Sequence, residues 1–279
     1  MQESPFEISV PGGSISGHFA GKGVPALVLH GGPGVPDYMG GCAAEIGDLF
    51  TTIRYTQRGV APSSLEGPFS IESHMADALA VLDAFKLEKA WMVGHAWGAH
   101  LALHLAVAHP ERLHGIACLD PLGAAREVCA DFHAALIDPL TDEHREQAEA
   151  IQARVGSAEA SEEELVEVMG ILWPSYFFNP AAAPKAPTAR GPQCTFETNS
   201  SIAAHFEART LEEGLPQVRK LPALFVHGLQ DPMPLRASLD TAKLIRRARV
   251  ARIPQCGHFP WVEQPGYVNR MLRGLIAQL

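Results

Sequence analysis

Short apolar runs with little polar alternation recur along this chain at residues 24–30 (V-P-A-L-V-L-H), 90–93 (A-W-M-V), 113–119 (L-H-G-I-A-C-L) and 223–227 (A-L-F-V-H). Such runs predict strands in a sheet covered on both faces. Residues 250–253 read as the last strand, 53–55 as a short one, and 6–10 with 14–20 as a hairpin around Pro11-Gly12-Gly13. Between these runs the rhythm becomes helical. Ile71, Met75, Leu79, Leu82 and Phe85 recur at helical spacing with Glu72, Asp77 and Asp83 between them, which predicts a helix over 71–85. Residues 99–106, 237–247 and 268–279 read as further helices. Alternating covered strands and helices predict an α/β domain with a mostly parallel sheet flanked by helices.

The rhythm changes near Pro121. From 122 to 215 the chain is helical and polar, with no clear buried strand. Charged helices are expected over 141–155 and 161–169, and Ser161-Glu162-Glu163-Glu164 has the residues of a capped helix start. This divides the chain into a core, 1–121 with 216–279, and a helical subdomain, 122–215. The subdomain holds an aromatic cluster, Trp173, Tyr176, Phe177 and Phe178, followed by the irregular A-A-A-P-K-A-P. Those rings are either the subdomain's own small core or the wall of a substrate pocket.

Composition narrows the function classes. With 279 residues, 47% apolar and 19% charged, the chain can bury a large core. A formal net charge of −9 argues against a nucleic-acid surface and against anionic membranes. No apolar run is long enough to span a bilayer. The first residues show neither a basic start nor an apolar stretch, so no signal peptide is expected. Cys42, Cys118, Cys129, Cys194 and Cys256 form no C-x-x-C pair, which fits a reduced, cytoplasmic setting. The expected partner is a small-molecule substrate, with no nucleic acid and no membrane.

Chemistry concentrates in the loops that close the apolar runs. The run at 90–93 enters G-H-A-W-G at 94–98 and then the helical stretch at 99–106. A strand, a sharp turn with glycine two residues either side of its apex, and a helix are the pattern of a nucleophile elbow. The apex is Ala96, which has no nucleophilic atom. The run at 24–30 ends in His30-Gly31-Gly32-Pro33-Gly34. That loop is either an ordinary tight turn or an oxyanion loop whose backbone N–H groups approach a substrate carbonyl. Asp231 follows the strand at 223–227, and His258 follows the last strand. Ala96, Asp231 and His258 therefore lie in nucleophile–acid–base order, each beyond the C-terminal end of a strand. His100 and His104 have the spacing of metal ligands on a helix, but no H-E-x-x-H motif accompanies them. They are expected to pack, and no metal or cofactor is expected.

Five motifs, H-G-G-P-G at 30–34, T-Q-R-G at 56–59, G-H-A-W-G at 94–98, H-G-L-Q-D at 227–231 and C-G-H-F-P at 256–260, together resemble α/β-hydrolases of the proline iminopeptidase-like group. The resemblance spans almost the whole chain. It implies the α/β-hydrolase fold, with a helical cap inserted after the sixth strand. It also implies that Gly32 and Trp97 supply the oxyanion-hole amides, that His258 is the general base, and that Asp231 orients it. Gly31, Trp173, Tyr176 and Phe177 are candidate substrate contacts. Peptidases of this group bind a free amino terminus through cap carboxylates, for which Glu197 and Glu207 are possible equivalents. Thr56 departs from the group's usual D-Q-R-G.

Two readings of Ala96 follow. In one it replaces a serine in an otherwise complete acyl-transfer site, so that the chain is an inactivated hydrolase of a small ester, lactone or amide, or of an aminopeptidase substrate. In the other it is native. The protein is then a ligand receptor, or a cofactor-free oxygenase or lyase that uses His258 as base.

Overall fold

The apolar runs form the middle of one sheet. A computed structural model describes residues 2–218 and 220–277. Its strands are β1 (Ser4–Val10), β2 (Gly13–Gly21), β3 (Val24–Leu29), β4 (Phe50–Tyr55), β5 (Ala90–His95), β6 (Leu113–Leu119), β7 (Ala223–Gly228) and β8 (Ala248–Ile253). The order across the sheet is β1-β2-β4-β3-β5-β6-β7-β8. The β1–β2 and β2–β4 pairs are antiparallel, and every pair from β4 to β8 is parallel.

Alternation of side chains along each strand sends neighbouring residues to opposite faces. Leu27, Leu29, Met92, Ile116, Cys118 and Phe225 enter one core, under α2 (Ile71–Ala84) and α3 (Trp97–Ala108). Ala26, Val28, Trp91, Val93, Leu119 and Val226 enter the other, under α1 (Gly40–Ile46) and the closing helix, Tyr267–Ile276. Every residue of β5 is buried, so the loop after it rises from a fully buried strand in the middle of the sheet. At the far edge β8 is half-exposed and carries Arg249 and Arg252, charges that discourage edge-to-edge pairing.

Between β6 and β7 the described chain is helical, with α4 (Val128–Ile137), α5 (Asp142–Gly156), α6 (Glu162–Leu172), α7 (Pro192–Glu207) and α8 (Thr210–Gly214). Leu136, Ile137, Ala148, Ile151, Val168 and Leu172 form a small separate core there. Ser161 caps α6 reciprocally: its Oγ accepts the Glu164 N–H and Glu164 Oε2 accepts the Ser161 N–H. Helix α7 is fastened to the loops above the sheet. The Gly191 amide donates to Gly34 O (2.9 Å), Thr198 Oγ1 to Phe69 O (2.8 Å), and the Ile71 amide to Ser201 Oγ (3.1 Å).

Some boundaries differ from the sequence expectation. The helix expected over 237–247 is α9 (Arg236–Lys243), followed by a short turn into β8. After α10 (Pro260–Glu263), the closing helix is α11 (Tyr267–Ile276); residues 278 and 279 of the expected span lie outside the described residues. The sequence pattern does not separately predict α1 and α7. The first opens on Gly40-Gly41, and the second mixes Thr, Asn and Ser with Cys194 and Ile202, so neither has a clean apolar stripe. Among the described residues, no helix is long and apolar enough to cross a membrane.

Candidate active site

The elbow is a consequence of close packing. Ala96 has φ 50° and ψ −115°, a conformation that costs a non-glycine residue on the order of 1–3 kcal/mol. The surroundings hold it there. The Ala96 amide donates to Leu119 O on β6 (3.0 Å), and Ala96 O accepts the His100 amide as α3 begins. Glycine flanks it because backbones nearly touch. A Cβ on Gly94 would lie 2.3 Å from Gly98 O, and one on Gly98 would lie 2.2 Å from Leu29 O.

The T-Q-R-G and H-G-G-P-G loops are locked to one another and to the elbow. Gln57 donates its amide to His30 Nε2 (2.9 Å) and its side-chain Nε2 to His30 O (2.8 Å), while Gln57 Oε1 accepts from Trp97 Nε1 (2.8 Å). Arg58 grips Asp77 of α2 through two charge-assisted bonds, Nε to Oδ2 at 2.6 Å and Nη2 to Oδ1 at 2.5 Å. Thr56, at the position that departs from the group's Asp, accepts the Asp37 amide through Oγ1 (3.3 Å). The amides of Gly32 and Trp97 engage no other backbone carbonyl among the described residues.

His258 and Asp231 meet from separate loops. His258 Nδ1 is 2.9 Å from each oxygen of Asp231, and Asp231 Oδ1 also accepts the Met233 amide (2.8 Å). Burial depresses the His258 imidazole to about 3 and pushes the Asp231 carboxyl upward. A neutral His258 with its proton on Nδ1, directed at Asp231, leaves Nε2 free to accept a proton. A second chain of bonds fixes the loop: the Gly31 amide donates to Tyr38 Oη (2.8 Å), Tyr38 Oη to His95 Nδ1 (2.6 Å), and His95 Nε2 to His258 O (2.7 Å). Burial holds His95 well below the usual imidazole range, so it stays neutral in this role. The His258 amide in turn donates to Tyr176 O (2.7 Å), joining the sheet-top loop to the helical insertion.

One cavity of about 520 Å³ joins these parts. Gly32, Ala96, Trp97 and His258 line it from the sheet side; Phe132, Leu136, Val168, Leu172, Trp173 and Tyr176 line it from the insertion. Asp231 stands behind His258, bonded to Nδ1. Gly31 lies against the elbow, since a Cβ there would be 3.0 Å from the Ala96 Cβ. Phe177 is not on the wall: it is buried and stacked on Phe259 with centroids 5.0 Å apart. The aromatic cluster thus divides: Trp173 and Tyr176 on the wall, Phe177 in the core, and Phe178 exposed. Glu197 and Glu207 are also off the wall. Glu197 Oε2 accepts the Phe69 amide (3.3 Å), and Glu207 is exposed beside Arg126. Both are drawn off by other partners. His104 Nε2 lies 3.2 Å from His100 Nε2, and His100 Nδ1 donates to Gly123 O, so the histidine pair packs as a hydrogen-bonded unit.

Sequence reasoning misses three residues of the site. Tyr38 gives no local signal. Asp120 closes β6 just before Pro121, a visible position whose nearness to Asp231 depends on the sheet order. Arg190 lies in the irregular stretch before α7. It lines the cavity, its Nε and Nη1 are buried without a hydrogen-bond partner, and desolvation depresses its guanidinium.

A family model described as alpha/beta hydrolase fold matches residues 25–265. A 2-hydroxymuconate semialdehyde hydrolase of Pseudomonas putida is 26% identical, over 99% of this chain and 96% of its own. Two solved structures share the fold. One is a serine-to-alanine mutant of a meta-cleavage product hydrolase from Pseudomonas fluorescens, with acetates bound (TM-score 0.70, 19% identity, 98% of this chain and 97% of that one). The other is an N-acyl homoserine lactone degrading enzyme (TM-score 0.67, 23% identity, 96% and 99%). These similarities lead to meta-cleavage product hydrolases and lactone-degrading enzymes rather than to the proline iminopeptidase-like group named by the motifs. The chain belongs to the alpha/beta hydrolase fold family.

Proposed function

We propose that this site is built for acyl transfer on a small, largely apolar substrate with an anionic end, and that Ala96 stands where a serine nucleophile would. The observation that carries the reading is convergence: His258, backed by Asp231, shares one cavity with Gly32, Ala96 and Trp97. A serine at position 96 would attack an ester or lactone carbonyl and pass its proton to His258 Nε2. The Gly32 and Trp97 amides, free in the glycine loop and at the start of α3, would hold the oxyanion. Collapse of the tetrahedral intermediate would return that proton to the leaving oxygen, and water would repeat the cycle to free the acid. In the Ala96 chain the substrate binds and is not turned over. The helices between β6 and β7 act as the cap that closes over it, and the free cysteines fit a cytoplasmic setting.

Charge on the wall separates the candidate substrates. Among the described residues no Asp or Glu lines the cavity, whereas Arg190 does and lacks partners for two of its nitrogens. A free amino terminus would meet a guanidinium there; a carboxylate would complete it. This favours acidic esters or lactones, in keeping with the similarity to an N-acyl homoserine lactone degrading enzyme, over aminopeptidase substrates. A second reading rests on Ala96 itself: with no hydroxyl, the cavity is a receptor site or one in which His258 acts alone as base.

The test is Ala96→Ser assayed on a small activated ester with a chromophoric acid or alcohol. The expected result is a stoichiometric burst, then turnover about 10⁶-fold above the Ala96 chain, the size of loss seen when a triad serine is removed. A flat trace from a folded Ala96→Ser variant overturns acyl transfer and leaves the receptor or base reading.

A further inference from the structure

Asp120 is buried completely at the end of β6, and the nucleophile chemistry above does not use it. Its Oδ1 accepts the Gly228 amide (2.8 Å), while its Oδ2 has no conventional donor among the described residues. The ligand atoms of Asp120, His227 and Asp231 all lie within 4.8 Å of one another, so the two carboxyl groups are close neighbours. Two buried carboxylates this close cannot both carry full charge without a cation, because desolvation and repulsion add. No lysine or arginine pairs with either among the described residues.

The other groups facing the pair do not supply the missing proton. His227 on β7 gives its Nε2 hydrogen to Met233 O (2.9 Å) and takes the Ser238 hydroxyl on Nδ1 (2.8 Å); burial depresses it to about 4, so it is neutral. His258, after β8, has its one proton on Nδ1, aimed at Asp231. Cys256 directs its thiol to Gly257 O. Glu263 on α10 accepts amides from Gly257 and Asn179 and adds a third carboxylate nearby. Of the two aspartates, Asp231 accepts from both His258 Nδ1 and the Met233 amide, and Asp120 from one amide alone. The better-solvated anion is Asp231, which leaves the shared proton on Asp120.

We propose that Asp120 is a positioning residue: a neutral carboxylic acid that donates its Oδ2 hydrogen to Asp231, so that Asp231 is the middle of an Asp120–Asp231–His258 chain. Asp120 touches no substrate. It restrains the Asp231 carboxylate from behind and draws off part of its charge. That sets how strongly Asp231 raises the basicity of His258. This protonation exists within the Ala96 chain and involves no substrate, so it stands or falls independently of acyl transfer.

Two substitutions test it. Asp120 has φ 44°, a region that Asn and Gly tolerate. Asp120→Asn keeps a donor toward Asp231; Asp120→Gly removes it. The parent is expected to show an infrared band of a protonated carboxyl at pH 8, shifted in heavy water and absent from Asp120→Asn. By NMR, with the His258 ring assigned against His258→Gln, Asp120→Asn leaves the His258 proton affinity within about threefold of the parent, and Asp120→Gly raises it about tenfold. Absence of the band from the parent, or an equal rise in both variants, overturns the proposal. If Asp120→Gly does not fold, the band and its loss in Asp120→Asn decide the matter.

Discussion

The cavity has two walls made by different physics. The sheet side is mostly backbone around the His258 ring: Gly32, Ala96 and the start of α3, placed by the fully buried strand β5 and by hydrogen bonds among distant loops. The insertion side is side chain: Phe132, Leu136, Leu172, Trp173 and Tyr176, set on helices with their own small core. In the proposed function, the wall of backbone amides sets where charge can develop and so the reaction class. A wall of apolar side chains with one unpaired guanidinium fixes which molecule enters.

Acid separates the two sides most strongly. On the sheet side burial depresses His74 to about 3, His100 to about 4, His227 to about 4 and His258 to about 3. Below their unfolded value the unfolded chain binds more protons than the folded one, so stability falls as pH falls from about 6.5 toward 4. Each such histidine costs about 1.4 kcal/mol per pH unit across that window. Asp120 and Asp231, raised by burial, act with the opposite sign: they favour the fold in acid and cost stability as pH rises. The histidines outnumber them. Urea titrations at pH 7 and pH 5 should show a much lower midpoint at pH 5; an unchanged midpoint would mean these rings are charged or hydrated in the fold.

Within the elbow, Gly98→Ala places a Cβ 2.2 Å from Leu29 O and 2.5 Å from His30 O, both backbone atoms with nothing flexible to yield. Destabilisation of about 3 kcal/mol or more is expected, read by urea unfolding. A variant as stable as the parent would show that strand β3 and α3 are not as close as described.

Legibility follows the same division. Motifs at 30–34, 56–59 and 94–98 are readable because close backbone approach leaves few residue choices, and because Gln57 must reach both His30 and Trp97. His258 and Asp231 can be placed at strand ends, although their contact depends on β7 and β8 being neighbours. The insertion is readable only as helical. Whether an aromatic faces a cavity or a core is set by helix packing: Tyr176 faces the cavity and Phe177 does not, one residue apart. Glu197 and Glu207 fail as cavity carboxylates for a related reason, since Phe69 and Arg126 already engage them.

Arg190 sharpens the view of the insertion wall. Arg190→Met keeps a long apolar stem and removes the charge, so it should weaken a small monocarboxylate roughly tenfold to a hundredfold while leaving its methyl ester nearly unchanged. Isothermal calorimetry on the protein makes the comparison direct. Equal losses for acid and ester would assign Arg190 to packing alone.

The smallest effect tests the contrast between walls from the opposite direction. Gly170 lies inside α6, where a Cβ would meet nothing within 4 Å, and the helix is otherwise a good one, opened by the Ser161–Glu164 capping box. Glycine there costs backbone entropy and gains no close approach. Gly170→Ala should therefore stabilise the protein by roughly 0.5–1 kcal/mol, seen as a small rise in the urea midpoint. The same replacement at Gly98 is expected to do the reverse. If both glycines prove intolerant, the insertion is packed as tightly as the sheet side, and the division drawn between a fixed floor and a more permissive roof is wrong.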